Sequence, residues 1–424
     1  MGKSRADQGE EPELDRAAAA HACGFQVPGA GLIGEGMMEV REQGAAFLFQ
    51  AEVNEVADPA AEGIGQQAGQ DGKEAPKAVE EKSDHPTSNG ISSVWPKEKN
   101  RVDAAALPAL FIGLDILIIK PSSLGDIIHG LQVAQSLKAQ LPWARITWVA
   151  REIFAPLVEE CACVDEVIVF HRKKGLRGLR QTIRAIKQRE YDWVLDLQGL
   201  ARSAYMTWHA RAQHKAGRRD GREGAQLAYA LQPQLPPAGK QAHALEILTA
   251  FLPLMNLQPE PSRPLVFREE VGGEPLPEFI RGALVLFPGS RRAEKEWPRF
   301  RELTSELLAT MPEVKIVWAG DQPVEAAKHW SKERFLNLTG KTSLPQLVPL
   351  IREARLCVCN DSGPMHLAAA MGTELVAIFG PTPPTRFGPW PLSDPRHHVL
   401  PAPNGNLGAL EVDSVAEVIR GVLA

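Results

Sequence analysis

From Leu114 to Phe379, short apolar segments alternate with segments whose apolar residues recur at a helical period. Strands that alternate with helices predict a parallel β-sheet covered on both faces, because parallel strands need a crossover, usually a helix, between them. A looser, proline-rich stretch from about residue 217 to 264 interrupts the alternation and predicts a connection between domains. We therefore expect an α/β protein with two doubly wound domains that face one another.

The alternation predicts individual elements on both sides of this connection. The predicted strands span residues 116–119, 146–149, 167–170, 193–197, 284–287, 314–319, 356–359 and 375–379. The predicted helices span residues 127–140, 154–160, 176–188, 298–310, 324–330, 344–353 and 364–371.

Three loops that follow predicted strands are rich in Ser, Gly and charge. They span residues 120–126, 287–295 and 360–366, and the last one enters a helix with Pro364 in its first turn. The free N–H groups of a helix start, together with its dipole, favour a bound anion. Ligands of doubly wound sheets bind beyond the carboxyl ends of the strands. The sequence therefore predicts a phosphate-bearing substrate in a cleft between the two domains.

The first part of the chain differs in composition from the rest. Residues 1–108 are rich in Ala, Gly, Glu and Gln, and we predict that this leader is mostly disordered. One hypothesis is that the true start lies near Leu110, so that the leader is a tether or an over-extended reading frame. We divide the remainder into an N-terminal domain with its connection at 109–264 and a C-terminal domain at 265–424.

The cysteines and the overall composition limit the class of protein. Cys161 and Cys163, like Cys357 and Cys359, could each form a metal-binding pair, but no His or Cys cluster completes a set of four ligands, so buried thiols are the better interpretation. The net charge is −5, and no signal peptide or apolar run of membrane-spanning length is present. We predict a cytoplasmic protein without a metal site, a cofactor or a nucleic-acid partner.

Five motifs occur in the order found in one enzyme family. From about residue 115 to 389 the chain resembles the ADP-heptose:lipopolysaccharide heptosyltransferases, glycosyltransferase family 9. The motifs are Lys-Pro-Ser-Ser-Leu-Gly-Asp at 120–126 with His129, Asp-Leu-Gln-Gly-Leu-Ala-Arg-Ser at 196–203, Pro-Gly-Ser at 288–290 with Lys-Glu-Trp-Pro at 295–298, Asn-Asp-Ser-Gly-Pro-Met-His at 360–366, and Phe-Gly-Pro-Thr-Pro-Pro at 379–384. The resemblance implies two facing Rossmann-like domains in the GT-B architecture.

The resemblance also implies a reaction and a set of residues for it. The reaction is an inverting, metal-independent transfer of heptose from ADP-heptose to the lipopolysaccharide inner core. The second motif is most similar to the heptosyltransferase I type, which acts on a Kdo residue, and contact with the inner membrane is a further possibility.

The resemblance implies a role for individual residues as well. Asp126 is implied as the general base, and Lys295 as the cation beside the leaving diphosphate. The donor residues are Ser290, Arg291, Glu325, Asp361, Ser362, Gly363 and His366. The acceptor residues are Ser123, Gly125, Arg172, Lys173, Gln198, Arg202 and Arg222.

Other interpretations of these residues and of the protein stay open from sequence alone. Asp126 has the residue type of a helix N-cap, Lys295 lies in a loop typical of a solvated turn, Glu325 could be an exposed helix charge, and His366 could be a packing or orienting histidine. A nucleotide-sugar epimerase of the same architecture, a transferase for another nucleotide sugar, and a non-catalytic binding module are the alternative functions.

Overall fold

The computed structural model describes residues 113–269, 271 and 275–424. The leader predicted over residues 1–108 lies outside the described residues, so its disorder stays a prediction. The boundary at 264 and 265 also stays a prediction.

The described chain forms two parallel β-sheets. The first contains β1 (Asp115–Ile119), β2 (Arg145–Arg151), β3 (Glu166–Phe170), β4 (Glu190–Asp196) and β5 (Arg211–Gly217), in the order β3-β2-β1-β4-β5. The second contains β6 (Leu284–Phe287), β7 (Ile316–Trp318), β8 (Phe335–Asn337), β9 (Leu356–Asn360), β10 (Leu375–Phe379) and β11 (His397–Pro401), in the order β11-β10-β9-β6-β7-β8. Every pair of neighbouring strands is parallel, which confirms the predicted fold class.

Helices connect these strands. In chain order they are α1 (Leu124–Gln140), α2 (Ala155–Glu159), α3 (Gly175–Ile186), α4 (Ala201–His209), α5 (Ala244–Thr249), α6 (Phe300–Thr310), α7 (Leu347–Glu353), α8 (Gly363–Met371), α9 (Pro384–Phe387) and α10 (Val412–Leu423). Within the part of the chain that the structure describes, none of them is long and apolar enough to cross a membrane.

One predicted helix is wrong. Residues 324–330 form an irregular segment with a turn. The backbone N–H of Val324 donates to Thr339 Oγ1 at 2.9 Å, and the Val324 carbonyl accepts from Asn337 Nδ2 at 2.9 Å. These side chains of the β8 region therefore occupy backbone groups that a helix would use for itself.

The sequence analysis also missed several elements. The strands β5, β8 and β11 and the helices α4, α5, α9 and α10 were not predicted. Strand β5 lies at an edge of the first sheet, and its polar residues Arg211 and Gln213 are exposed there. Because a polar edge strand lacks an apolar run, its sequence does not predict a strand.

We call the part of the described chain that contains the β1–β5 sheet the first half, and the part that contains the β6–β11 sheet the second half. The two halves pack together where α1 and α8 begin. A Cβ atom built on Gly363 would lie 2.4 Å from Leu124 Cδ2, and one built on Gly125 would lie 2.5 Å from His366 Cδ2. Both glycines therefore permit a close approach that any side chain would obstruct. Residues of both helices, such as Leu131 and Leu367, are fully buried in one continuous apolar core.

Three histidines also meet between the halves. The rings of His129 on α1 and His366 on α8 are 4.6 Å apart, and the ring of His243, just before α5, is 5.5 Å from that of His129. His243 Nδ1 accepts from the Leu245 N–H at 3.1 Å, and its Nε2 lies 3.1 Å from the Gly388 carbonyl oxygen. This pattern suits a neutral imidazole, because both nitrogens of a charged ring are donors.

Adding a methyl group at Gly363 should weaken the packing between α1 and α8. We expect Gly363→Ala to lower the free energy of unfolding by about 1–3 kcal/mol, the usual cost of overpacking. Combining it with Leu124→Ala should cost less than the sum of the two single changes, because the clash is partly removed. Gly421→Ala in α10 is the control, since a Cβ there meets open space. Denaturant unfolding measures all four variants, and equal stability of the Gly363 and Gly421 variants would contradict the close approach.

The histidine cluster should make the protein sensitive to mild acid. Burial lowers the pKa of His366 to about 4, and burial also lowers the pKa values of His129 and His243. Above pH 6.5 both folded and unfolded chains are neutral at these sites. As the pH falls from about 6.5 towards 4, the unfolded chain binds protons more readily than the folded chain at these sites, so stability falls, by about 1.4 kcal/mol per pH unit for His366.

Chemical unfolding at pH 7, 6 and 5 tests this linkage. His129→Gln should flatten the dependence of the free energy of unfolding on pH, whereas His329→Gln, at an exposed histidine, should preserve the wild-type slope. Parallel slopes for all three proteins would show that the cluster does not resist protonation.

Candidate functional site

The carboxyl ends of the strands place the candidate residues of each half. In the first sheet the strand order changes direction between β1 and β4, and in the second sheet it does so between β6 and β9. The loops that leave these strand pairs diverge to opposite faces of the sheet, which opens a crevice at its carboxyl edge. The three predicted loops leave β1, β6 and β9, so each one lies at such a crevice.

Asp126 lies in the first turn of α1, three residues after the N-cap residue Ser123. The Ser123 N–H donates to Asp126 Oδ2 at 3.1 Å, and the Ser123 hydroxyl donates to the same oxygen at 2.7 Å. Lys120 Nζ, on a side chain only 1% exposed, donates to the other oxygen at 3.2 Å. Asp126 is therefore not the N-cap residue, and its side chain is fixed on both oxygens.

The charge of Asp126 follows from these contacts. Burial alone would raise the pKa of this carboxyl group, but the Lys120 ammonium and the hydrogen bonds from Ser123 hold the pKa well below its ordinary value. Asp126 is therefore ionised at neutral pH, which is the state that can accept a proton. The side chain is 40% exposed, so a substrate hydroxyl can reach it.

A buried carboxylate shapes the loop that carries Gln198. Asp196 is fully buried and accepts the N–H groups of Gln198 and Gly199 at 2.9 and 3.0 Å. Its other oxygen accepts the Tyr229 hydroxyl at 2.7 Å. Gln198 Oε1 is buried without a hydrogen-bond partner among the described residues, so it is an acceptor group without a donor. Asp196 supports the loop, and Gln198 presents the polar side chain.

The basic residues predicted for the acceptor lie on the first half. Arg172 and Lys173 form an exposed turn of 3-10 helix just after β3. Arg202, in the first turn of α4, has its guanidinium carbon 5.9 Å from the centre of the Phe170 ring. Arg222 is exposed, and its N–H donates to the Gly199 carbonyl at 2.8 Å, which ties its loop to the loop of Gln198.

Lys295 and Asp361 form a largely buried ion pair in the second half. Lys295 Nζ lies 2.6 Å from Asp361 Oδ2, and the side chains are 14% and 5% exposed. Thr382 Oγ1 donates to the same oxygen at 2.5 Å. The ammonium also lies 5.7 Å from the centre of the Phe387 ring. Lys295 is thus held at the carboxyl end of β9 rather than in a solvated turn.

The start of α8 provides donors beside this pair. Ser362 is the N-cap residue, Gly363 is the first helical residue, and Pro364 lies in the first turn, as predicted. Ser362 Oγ is buried without a hydrogen-bond partner among the described residues. Helix α8 has nine residues, and its first N–H groups have no partner within the helix. Together these groups can donate to an anion.

Asn360 joins the loop after β6 to the end of β9. Its Nδ2 donates to the carbonyl oxygens of Phe287 and Pro288 at 3.3 and 3.1 Å, and its Oδ1 accepts the Trp297 N–H at 3.0 Å. Ser290 follows in the same loop, and its N–H donates to Glu296 Oε2 at 3.3 Å. This fully satisfied amide positions the loop of Ser290 and Lys295 against β9.

Two predicted donor residues lie in other surroundings. Glu325 is exposed in the irregular segment after β7, and its carboxylate makes no ion pair or hydrogen bond with other described residues. Arg291 Nε lies 3.3 Å from Asp321 Oδ2, while its guanidinium carbon is 5.5 Å from the centre of the Phe154 ring, in the first half. Arg291 therefore reaches across from the second half to the first.

His366 connects the two parts of the site. Its ring packs against the backbone of Gly125, and its pKa responds to Asp361, Asp126 and Lys295. Gly125 directly precedes Asp126, and Asp361 lies two residues before the first residue of α8, so the proposed base and the Lys295–Asp361 pair approach His366 from the two halves. Asp126 and Lys295 are thus on adjoining surfaces of the two halves.

Sequence reasoning missed three residues of this site. Lys120 and Thr382 were recorded only as letters of a motif, although they hold Asp126 and Asp361. Arg218, just after β5, forms a fork with Asp220 through Nε and Nη2 at 2.9 and 2.6 Å, and its charge affects Lys120 and Asp126. Lys120 directly follows a predicted strand, and this position was a usable signal. Arg218 offered no such signal, because β5 was not predicted.

Known proteins of similar sequence carry heptosyltransferase names. Lipopolysaccharide heptosyltransferase 1 of Pseudomonas aeruginosa is 28% identical over 288 residues, which cover 63% of this chain and 79% of that protein. Lipopolysaccharide heptosyltransferase 1 of Escherichia coli K12 is 26% identical over 321 residues, covering 72% and 99%. Lipooligosaccharide heptosyltransferase 2 of Haemophilus influenzae is 28% identical over 302 residues, covering 66% and 87%.

Solved structures share the fold. The E. coli heptosyltransferase WaaC with ADP has a TM-score of 0.61 and 24% identity, over 73% of this chain and 99% of that one. The E. coli ADP-heptose lps heptosyltransferase II has a TM-score of 0.57 and 24% identity, over 73% and 98%. These neighbours and the two parallel sheets confirm the GT-B architecture.

The family model that matches this chain covers residues 179–404, from α3 in the first half to the segment after β11. It therefore includes the loops of Gln198, Lys295 and Asp361. This match extends over more than half of the chain, and the chain belongs to glycosyltransferase family 9 (heptosyltransferase).

Proposed function

We propose that this glycosyltransferase is a heptosyltransferase I, which moves heptose from ADP-heptose to a Kdo residue of the lipopolysaccharide inner core. The observation that carries the proposal is the meeting of the starts of α1 and α8. It brings the ionised Asp126 and the Lys295–Asp361 pair around His366. A base from one half and a cation from the other suit a transfer between two bound substrates.

The proposed chemistry is a single displacement. Asp126 accepts the proton of an acceptor hydroxyl while the hydroxyl oxygen forms a bond with the anomeric carbon. The bond between that carbon and the diphosphate oxygen breaks, and its electron pair leaves with ADP. Attack from the side opposite the leaving group inverts the anomeric centre. The base on the first half and the phosphate site on the second half support this arrangement.

The leaving diphosphate is proposed to lie at the start of α8. Lys295, the Ser362 hydroxyl and the N–H groups at Gly363 supply positive charge and donors, which is why we propose that no metal ion is needed. Asp361 holds the Lys295 ammonium and is a candidate acceptor for sugar hydroxyls. Ser290 and Glu325 stay proposed donor residues, and His366 is proposed to orient the site rather than to carry a proton.

The acceptor is proposed to bind on the first half. Ser123 and Gly125 lie beside the base, and Gln198 offers a buried oxygen that accepts no hydrogen bond from the described residues. The guanidinium groups and the ammonium of the basic residues suit the carboxylates and phosphates of an inner-core acceptor. These residues are Arg172, Lys173, Arg202 and Arg222. Such an acceptor is part of a lipid, so we propose that the enzyme works at the cytoplasmic side of the inner membrane.

Of the three alternative functions that the sequence left open, one is still supported. Membership of a glycosyltransferase family leaves the epimerase and the binding module without support. A different nucleotide sugar is the remaining alternative. Product formation from ADP-heptose and a Kdo-lipid A acceptor tests it, with other nucleotide sugars in parallel. Transfer from another nucleotide sugar, with none from ADP-heptose, would contradict the proposed donor.

Removing the proposed base should abolish turnover and spare donor binding. We expect Asp126→Ala to lower kcat by about 10²–10⁴-fold, the usual contribution of a general base, with donor affinity near that of the wild type. Glu246→Ala is a matched control, because Glu246 fills the same third helical position in α5 and accepts the His243 N–H at 3.1 Å. Full turnover by the Asp126 variant, with product formation in wild type, would remove Asp126 from its role.

Removing the Lys120 ammonium should change the pH dependence of turnover. Since that ammonium lowers the pKa of Asp126, Lys120→Met should raise the pKa, so kcat should begin to fall at a higher pH on the acidic side. Lys138→Met, which breaks a pair with Asp165 at 2.8 Å, serves as the control and should leave the profile unchanged. An unaltered acidic limb in the Lys120 variant would contradict the coupling.

A further inference from the structure

Arg151 is the last residue of β2 and was not among the predicted site residues. Its side chain is half-buried, and Nε is buried without a hydrogen-bond partner among the described residues. Its guanidinium carbon lies 5.9 Å from the centre of the Phe154 ring. A buried guanidinium N–H without an acceptor is costly, and in native proteins such a group usually has a hydrogen-bond partner, which can be a protein group, an ordered water or a bound ion.

Arg291 approaches the same aromatic ring from the second half. Its guanidinium carbon lies 5.5 Å from the centre of the Phe154 ring, although Arg291 follows β6 and Phe154 precedes α2. Arg291 Nε lies 3.3 Å from Oδ2 of Asp321. Two guanidinium groups, one from each half, therefore meet at one ring, which can hold both by cation–π attraction.

More positive charge surrounds this ring than negative charge. Burial and the charges of Arg172, Arg291 and Arg202 lower the pKa of Arg151, and the charge of Glu152 raises it. The Glu152 carboxylate is itself engaged, since it accepts the Arg172 N–H at 3.2 Å. Like charges repel one another at this range, so a bound anion would relieve the repulsion.

We propose that Arg151 and Arg291 together bind one acidic group of the acceptor, a carboxylate or a phosphate, and so hold the two halves around it. This inference rests on the proposed function and assigns Arg291 to the acceptor instead of the donor. The acceptor is favoured because the surrounding groups, Arg172, Arg202 and Glu152, follow strands of the first half. The donor phosphates have their own donors at the start of α8.

Guanidinium groups suit this task better than ammonium groups. A planar guanidinium can donate two parallel hydrogen bonds to a carboxylate or a phosphate while its face stays on an aromatic ring. Arg151→Lys should therefore recover only part of the function of Arg151, even though the charge is kept.

Kinetics with both substrates varied separately test the proposal. Arg151→Gln and Arg291→Gln should each raise the acceptor KM about tenfold or more and leave the donor KM within about twofold, since one lost charged contact typically changes affinity by this order. The double variant should lose less than the product of the two single effects, because both residues bind one group. Arg292→Gln is the control, because Arg292 is an exposed neighbour that pairs with Glu294.

The acceptor itself gives a second comparison. An acceptor whose carboxylates are methyl esters and whose phosphates are removed should bind wild type weakly and show no further loss in the two variants. Binding of the charged acceptor to each protein by calorimetry, without donor, gives the same comparison independently of turnover. If wild type binds the charged acceptor but does not transfer heptose, the proposed heptosyltransferase function is wrong, whereas the proposed anion site at Arg151 and Arg291 is still supported.

Three results would overturn the proposal. A rise in the donor KM with an unchanged acceptor KM would assign the anion to the donor diphosphate. Unchanged values for both substrates would show that the arginines bind neither one. An equal loss for charged and uncharged acceptors would show a structural role. Arg291 is exposed, so its variant is expected to fold. The Arg291 variant therefore tests the proposed anion site even if the Arg151 variant does not fold.

Discussion

The close packing of two helix N-termini is the constraint on which the rest of this site depends. Helices α1 and α8 belong to different sheets, yet Gly125 and Gly363 allow their first turns to touch. A side chain at either position would clash with Leu124 or His366. Because each helix starts at the carboxyl edge of its own sheet, this contact joins two crevices into one site. The contact of His366 with Gly125 brings Asp126 close to the start of α8, beside the Lys295–Asp361 pair.

The two halves prepare their charged groups in the same way. In the first, Lys120 is almost fully buried against Asp126, and in the second, Lys295 is held against Asp361. In each pair one member directly follows a parallel strand, Lys120 after β1 and Asp361 after β9, and each aspartate also accepts a hydroxyl group. The pairing fixes charge and position before a substrate arrives, so little reorganisation is needed during the reaction. The exposed fraction differs, since Asp126 is open to solvent and Asp361 is nearly closed.

The sequence predicted the two parallel sheets and the three loops because both depend on local patterns. Apolar strand runs such as Leu356–Asn360 are buried throughout, and the helix that begins at Gly363 has its Pro in the first turn. Prediction failed where distant residues decide the structure. Residues 324–330 have a helical pattern, but Asn337 and Thr339 bind the backbone of Val324. Strand β5 is polar, and the role of Lys120 and the position of Arg291 against Phe154 depend on contacts that no local pattern encodes.

A crystal structure of the protein with a non-transferable ADP-heptose analogue is the most direct test of a site shared by both halves. The account predicts that the diphosphate lies on Lys295 and the N–H groups at Gly363, and that the anomeric carbon faces Asp126 across a space that fits one acceptor hydroxyl. An analogue bound to the second half with its anomeric carbon directed away from Asp126 would contradict the account.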